Sequence, residues 1–63
     1  MTKRKAMKKA IAITVIEMNE VFEVETMEGW LRGKSGDFLA IGVRGEMYPI
    51  DRDIFFETYD LLD

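Results

Sequence analysis

The β-branched residues are most concentrated in residues 10–16, which read Ala-Ile-Ala-Ile-Thr-Val-Ile. β-Branched side chains favour the extended backbone of a strand, so this segment predicts a strand. Both of its faces are largely apolar, which indicates that it is covered on both sides. Apolar residues also recur at helical spacing over residues 7–18, and a helix is the alternative. The polar residues Asn19 and Glu20 predict a break after this element.

Residues 21–27 show a regular alternation of side-chain character. Phe22 and Val24 fall on one face of an extended chain, and Glu23 and Glu25 fall on the other. This pattern predicts a half-buried strand whose acidic face is turned toward solvent.

Glycines in the middle of the chain predict turns. Glu28 and Gly29 are expected to form a turn in which the glycine has a positive φ, and residues 30–32 return as a short strand. The two glycines and the aspartate of residues 33–37 predict a loop.

A second hairpin is predicted immediately afterwards. Residues 38–43 are its first strand and residues 46–50 its second, joined by a two-residue turn at Arg44 and Gly45. Pro49 is expected at a strand end or at a sheet edge, because proline cannot donate to a β-ladder.

The carboxyl-terminal segment begins with a helix signal. Asp51 is predicted to cap one or two helical turns over residues 51–56, with the carboxylate of Asp53 in the first turn. Residues 57–62 fit either a continued helix or a short last strand. The whole pattern predicts a mainly β, β-rich α+β fold: five to six short strands in a small, strongly bent antiparallel sheet or an SH3-like barrel, with a short C-terminal helix.

Charge divides the chain after residue 9. Five cations and no acidic residue occur in residues 1–9: Lys3, Arg4, Lys5, Lys8 and Lys9. The remaining four basic and twelve acidic side chains give residues 10–63 a net charge of −8. We therefore expect a flexible basic leader, residues 1–9, and one small β-rich domain, residues 10–63. The five cations are candidate phosphate contacts. Two alternatives fit the same pattern. The leader is then either a solvated terminus or a segment that lies across the acidic domain of its own or a neighbouring chain.

The inventory of side chains argues against an enzyme. The 63 residues include no histidine and no cysteine, which excludes thiol and imidazole catalysis and Cys/His metal sites. Residues 29–35 are one residue short of a phosphate-binding loop, and residues 51–53 lack the later ligands of a calcium loop. Nothing indicates a pocket around Glu23 and Glu25. We predict a non-enzymatic protein with no cofactor and no bound metal.

No apolar run approaches the roughly 20 residues that span a bilayer. The basic leader is followed by an apolar stretch that is only seven residues long, with no small-residue cleavage site, which argues against a signal peptide. We therefore expect a cytoplasmic protein that does not insert into a membrane.

The chain has seven aromatic residues, of which one is a tryptophan. Most of them are expected in the core, because each buries a large apolar area. Trp30, Arg32 and Lys34 place an aromatic ring close to two cations. Together with Tyr48 they are the candidate surface for a partner.

Four short motifs occur in order along the chain. They are Glu-Thr-x-Glu-Gly at residues 25–29, Ser-Gly-Asp at 35–37, Gly-Val-Arg-Gly-Glu-x-Tyr-Pro at 42–49 and Ile-Phe-x-x-Thr-Tyr at 54–59. This order resembles a family of small phage and prophage proteins named for a Pro-Gly-Asp-Tyr-Gly-like (PGDYG) motif, over about residues 8–60. Ser35 stands where the family has proline, and Phe38 and Leu39 stand where it has tyrosine and often glycine. The resemblance implies a phage or prophage origin and no assigned biochemical activity.

These expectations describe a small, cytoplasmic, phage- or prophage-encoded interaction module that binds a host or phage protein. The alternative is a nucleic-acid-linked accessory protein, in which the basic leader contacts phosphates or the acidic domain mimics DNA. A homodimer is also expected, because a sheet this small has open edges. Its contact is predicted through residues 10–16 or through Leu61 and Leu62.

Overall fold

The computed structural model describes residues 1–62 and has five short strands followed by one helix. The fold is mainly β with a short C-terminal helix, as the sequence predicts. The last residue of the predicted domain, Asp63, lies outside the described residues. In chain order the elements are β1 (Thr14–Glu17), β2 (Phe22–Thr26), β3 (Gly29–Gly33), β4 (Phe38–Ile41), β5 (Met47–Ile50) and α1 (Arg52–Thr58).

The strands form two antiparallel sheets. One has three strands in the order β1-β4-β5, and the other is the β2–β3 hairpin. Strand β5 lies beside both strands of the hairpin. The sheets do not close into a barrel, so the SH3-like alternative is wrong. Pro49 lies in β5, at an edge of the three-stranded sheet, where its missing N–H costs no ladder bond.

The core lies between α1 and one face of the three-stranded sheet. Phe38 and Ala40 point to this face from β4 and are 1% and 0% exposed. Phe55 of α1 is 1% exposed, and its ring centroid is 3.9 Å from that of Phe38 in an edge-to-face arrangement. This pair of rings attaches the helix to the sheet.

Only two of the seven aromatic side chains, Phe38 and Phe55, are fully buried, so the expectation that most of them belong to the core is wrong. Trp30 is 66% exposed and Phe56 is 49% exposed. The other three aromatic residues are half-buried. A single short helix covers one face of a small sheet, and the area between them is too small to bury all seven aromatic rings.

Strand β1 is shorter and more exposed than the sequence predicts. Residues 10–13 have no regular secondary structure, because β4 ends at Ile41, directly opposite Thr14. Ile16 is 45% exposed, so the prediction of a strand covered on both faces is wrong. The helical alternative for residues 7–18 is also wrong.

The β2–β3 hairpin confirms the alternation in the sequence. Val24 is buried, and Glu23 and Glu25 on the other face are exposed. The turn lies one residue earlier than predicted, at residues 27–28, and Gly29 opens β3 with a φ of +105°.

The β4–β5 turn differs from its prediction. The N–H of Gly45 donates to the carbonyl of Gly42 (2.9 Å), which centres the turn on Val43 and Arg44. Gly45 follows the turn with a φ of +83°. The predicted two-residue turn at Arg44 and Gly45 is therefore wrong, and β4 ends at Ile41.

The predicted cap of α1 is confirmed. The carboxylate of Asp51 accepts from the N–H groups of Asp53 (2.9 Å) and Ile54 (3.2 Å). The helix ends at Thr58, and residues 59–62 have no regular structure. The alternative of a last strand in residues 57–62 is therefore wrong.

Candidate functional site

The exposed face of the β2–β3 hairpin carries two of the predicted site residues. Glu25 lies directly opposite Trp30, and Glu23 lies directly opposite Arg32. Side chains that are directly opposite in an antiparallel pair project to the same face. We call these four exposed residues the hairpin face.

Local contacts hold the hairpin in shape. Phe22 lies opposite Gly33, and a side chain at Gly33 would overlap the ring of Phe22. At the other end, the Oγ1 of Thr26 donates to the carbonyl of Gly29 (2.8 Å) and accepts from the N–H of Glu28 (3.1 Å). These contacts fix both ends of β3, and so they fix the direction in which Trp30 and Arg32 project.

The hairpin face combines one large apolar side chain with charges of both signs. Trp30 is 66% exposed, while Val24 on the opposite face of the hairpin is 8% exposed. The indole offers apolar area and an N–H donor, and Arg32 offers five N–H donors. The two glutamates add acceptors. This composition suits recognition of another protein.

Lys34 follows β3, and its ammonium group is bound to the body of the protein. Its Nζ donates to Asp51 (2.7 Å) and to Asp37 (3.2 Å). These two carboxylates, Asp51 first, hold the pKa of Lys34 above its ordinary value. Lys34, one of the predicted site residues, therefore binds two carboxylates. Arg32 is the cation of the hairpin face.

Asp37 is the centre of this group of charges, which we call the Asp37 cluster. Its buried carboxylate accepts from the backbone N–H of Lys34 (3.0 Å) and from that of Arg52 (3.1 Å). These bonds, the one from Lys34 foremost, hold the pKa of Asp37 below its ordinary value. The lysine ammonium does the same for the pKa of Asp51. Both carboxylates are therefore ionised acceptors at neutral pH, and they join a loop to the start of a helix.

The guanidinium of Arg52 extends the Asp37 cluster to β1. It donates to the carboxylate of Glu17 and to the carbonyl of Gly36 (3.1 Å). The N–H of Met18 also donates to the carbonyl of Asp37 (2.9 Å). The cluster therefore links the end of β1, the loop before β4 and the first turn of α1. The sequence marks two of its members, Asp37 in the Ser-Gly-Asp motif and Asp51 as the predicted helix cap, but not the contacts between them.

Tyr48 lies apart from the hairpin face. It is opposite Ala40 in the β4–β5 ladder, so its side chain points to the face that α1 covers. Burial and, next, the neighbouring Tyr59 raise the pKa of Tyr48. The structure thus brings Trp30 and Arg32 together and places Lys34 and Tyr48 in other contacts.

The basic leader is exposed along its whole length. The Nζ of Lys8 lies 5.8 Å from the ring centroid of Tyr59. A groove of about 600 Å³ lies between residues 8–15 and residues 58–62. Both segments that were predicted to mediate self-association therefore line the same groove.

No family model, curated protein or solved structure matches this chain. The resemblance to PGDYG-like proteins rests on the sequence motifs alone and stays a prediction. Within residues 1–62, no helix has the length and apolarity to cross a membrane. In the same part of the chain, no three acidic side chains lie close enough to surround a metal ion.

Proposed function

We propose that this chain is a small non-enzymatic interaction module, of phage or prophage origin, whose hairpin face binds a host or phage protein. The exposure of Trp30 carries this proposal, because 66% of a residue with a large apolar side chain faces solvent on a strand held at both ends. Tryptophan and arginine are the residues most often found at the energetic centre of protein interfaces. Trp30 would fill a pocket of the partner, and the charged neighbours would form the polar rim.

Replacing Trp30 by alanine is expected to weaken capture of the partner by at least about 30-fold, the effect of losing roughly 2 kcal/mol at an interface centre. Pull-downs from a bacterial host lysate, quantified by mass spectrometry for the wild type and the variant, measure this change. The matched control is Val43→Ala, an exposed apolar residue (68%) in the β4–β5 turn. The same proteins captured in equal amounts by all three baits would contradict the proposal.

Tryptophan fluorescence gives a second readout, since Trp30 is the single tryptophan of the chain. Its emission is expected to shift to the blue when a captured partner without tryptophan is added, because the indole leaves water. An unchanged emission spectrum in a complex that sedimentation shows to be formed would exclude the hairpin face as the contact.

A second function is favoured by the basic leader. Its five cations are exposed, and none of them forms an ion pair with another described residue. If they contact duplex phosphates, each contact contributes about −0.9 to the slope of log K against log salt concentration. Fluorescence anisotropy with duplex DNA is expected to show a salt-dependent affinity that is lost on deleting residues 1–9. Equal affinity of the full and shortened chains would rule this function out.

A further inference from the structure

The segment whose sequence predicts a strand, residues 10–16, is longer than the part of it that pairs with β4. Residues 10–16 are an uninterrupted strand-forming segment, but β4 pairs with β1 only from Thr14 onward. Beyond that pair β4 gives way to the β4–β5 turn. Residues 10–13 therefore have a sequence that favours a strand, but no segment within residues 1–62 pairs with them.

In the part of the chain that the structure describes, the outer edge of β1 has no paired strand. Because Met18 donates to Asp37 in the continuation of the β1–β4 ladder, the even-numbered residues of β1 make its bonds to β4. The backbone groups of Val15 and Glu17 therefore point to the outer edge, since bonding directions alternate along a strand. In the described residues no strand lies on that side.

We propose that residues 9–17 of two copies of this chain pair antiparallel across a two-fold axis at Ile13. The two three-stranded sheets then form one continuous six-stranded sheet. This inference selects residues 10–16, rather than Leu61 and Leu62, as the self-association contact. It concerns the β1 edge and leaves the hairpin face free, so it is tested independently of the proposed function.

The proposed register follows from the sequence of the segment. Residue 13 is the midpoint of residues 10–16, and an axis there pairs every residue of this apolar segment with another residue of the same segment. The same register places Lys9 of each copy opposite Glu17 of the other. Unlike charges directly opposite in a ladder are stabilising, and the two-fold axis makes this pair twice.

The groove has the right lining for this partner. Ile11, Ile13 and Val15 line it and are odd-numbered, so they share one face when the segment is extended. In the proposed register Ile11 lies opposite Val15 of the second copy, and Ile13 lies opposite its own equivalent. The second strand would therefore add its apolar face to the side of the groove that these three side chains line.

Pairing requires one local change in residues 10–13. The N–H of Ile11 donates to the carbonyl of Lys9 (2.9 Å), which is a bond within one tight turn. In the proposed ladder this N–H donates to the carbonyl of Val15 in the second copy. The N–H of Ile11 therefore keeps a backbone acceptor, and its carbonyl gains a donor, the N–H of Val15 in the second copy.

A pair of proline variants tests the ladder directly. Ile13→Pro removes the N–H that each copy donates at the axis, so the dimer dissociation constant is expected to rise about 30-fold or more. Ala12→Pro is the matched control, because the N–H of residue 12 points away from the proposed interface. Sedimentation equilibrium of both variants and the wild type, with circular dichroism to check the fold, supplies the comparison. A monomeric wild type, or equal dissociation constants for the two variants, would overturn the inference.

A charge reversal tests the register. Lys9→Glu places a glutamate opposite Glu17 twice in each dimer, and we expect about tenfold weaker association at low salt. Lys5→Glu makes the same charge change outside the paired segment and is expected to have a smaller effect. If the two reversals weaken the dimer equally, the proposed register is wrong.

Discussion

Replacing Phe38 by alanine is expected to remove a large part of the protein's free energy of unfolding. The side chain is 1% exposed and packs against Phe55, which is also 1% exposed. Deleting a buried phenylalanine ring costs about 3–5 kcal/mol. A chain of 63 residues has a free energy of unfolding of only about 3–9 kcal/mol, from roughly 0.05–0.15 kcal/mol per residue. The loss therefore equals a large part of the whole stability.

Phe56→Ala is the matched control for this prediction. Phe56 is the next residue of α1 and lies 49% exposed, with its ring centroid 5.6 Å from that of Phe38. Its removal is expected to cost about 1 kcal/mol, since much of the ring is already in water. Urea unfolding followed by far-ultraviolet circular dichroism measures both variants. A Phe38→Ala protein as stable as the Phe56→Ala protein would show that the core lies elsewhere.

Replacing Asp37 by asparagine is expected to lower the stability at neutral pH and to remove much of the acid sensitivity of the fold. The carboxylate accepts two backbone N–H groups and the ammonium of Lys34. An amide has one acceptor oxygen, and its NH₂ group would face a donor. One of these two backbone N–H groups therefore loses its partner, which weakens the Asp37 cluster between the loop and α1.

The pH dependence has a defined sign. The pKa of Asp37 in the folded protein lies below its ordinary value of 3.8, so its stabilising contribution is fully present above that value. The contribution is lost as the pH falls through the lowered pKa, and Asp51 acts in the same direction. The pKa of Lys34 lies above 10.5, and its contribution is lost as the pH rises through the raised pKa. The contribution of these three groups to the free energy of unfolding is therefore expected to change little between these limits.

Thermal unfolding between pH 2 and pH 8 tests this expectation. The wild type and Asp37→Asn are expected to differ most near neutral pH and to converge in acid, because the wild-type carboxylate is then protonated as well. Asp60→Asn is the control, since Asp60 is an exposed acid beyond the end of α1. A constant difference between wild type and Asp37→Asn across this range would contradict the ionised Asp37 cluster.

Local patterns predicted those parts of the fold that depend on local geometry. The alternation of Val24 with Glu23 and Glu25 identified the buried and exposed faces of β2, because successive side chains of a strand point to opposite sides. The cap at Asp51 was predictable, since its bonds to Asp53 and Ile54 span only two or three residues.

Features that depend on distant residues were not predictable in this way. The length of β1 is set by where β4 ends, and the bond from Arg52 to Asp37 spans 15 residues. The turn at Gly45 is a different case, a local ambiguity, because a glycine with positive φ fits either within a turn or just after it. The sequence places Tyr48 among the candidate partner contacts, but its place opposite Ala40 turns it toward the helix-covered face.

Site-specific photo-crosslinking tests the proposed function most directly. A photoreactive phenylalanine analogue replaces Glu25, which lies directly opposite Trp30, in one protein and Glu57 of α1 in another, each in the host cell; both positions are exposed, and Trp30 is kept in both. We expect one dominant covalent adduct with a host or phage protein from position 25 and none of that adduct from position 57. The same adduct from both positions, or none from position 25, would contradict the hairpin face as the contact surface.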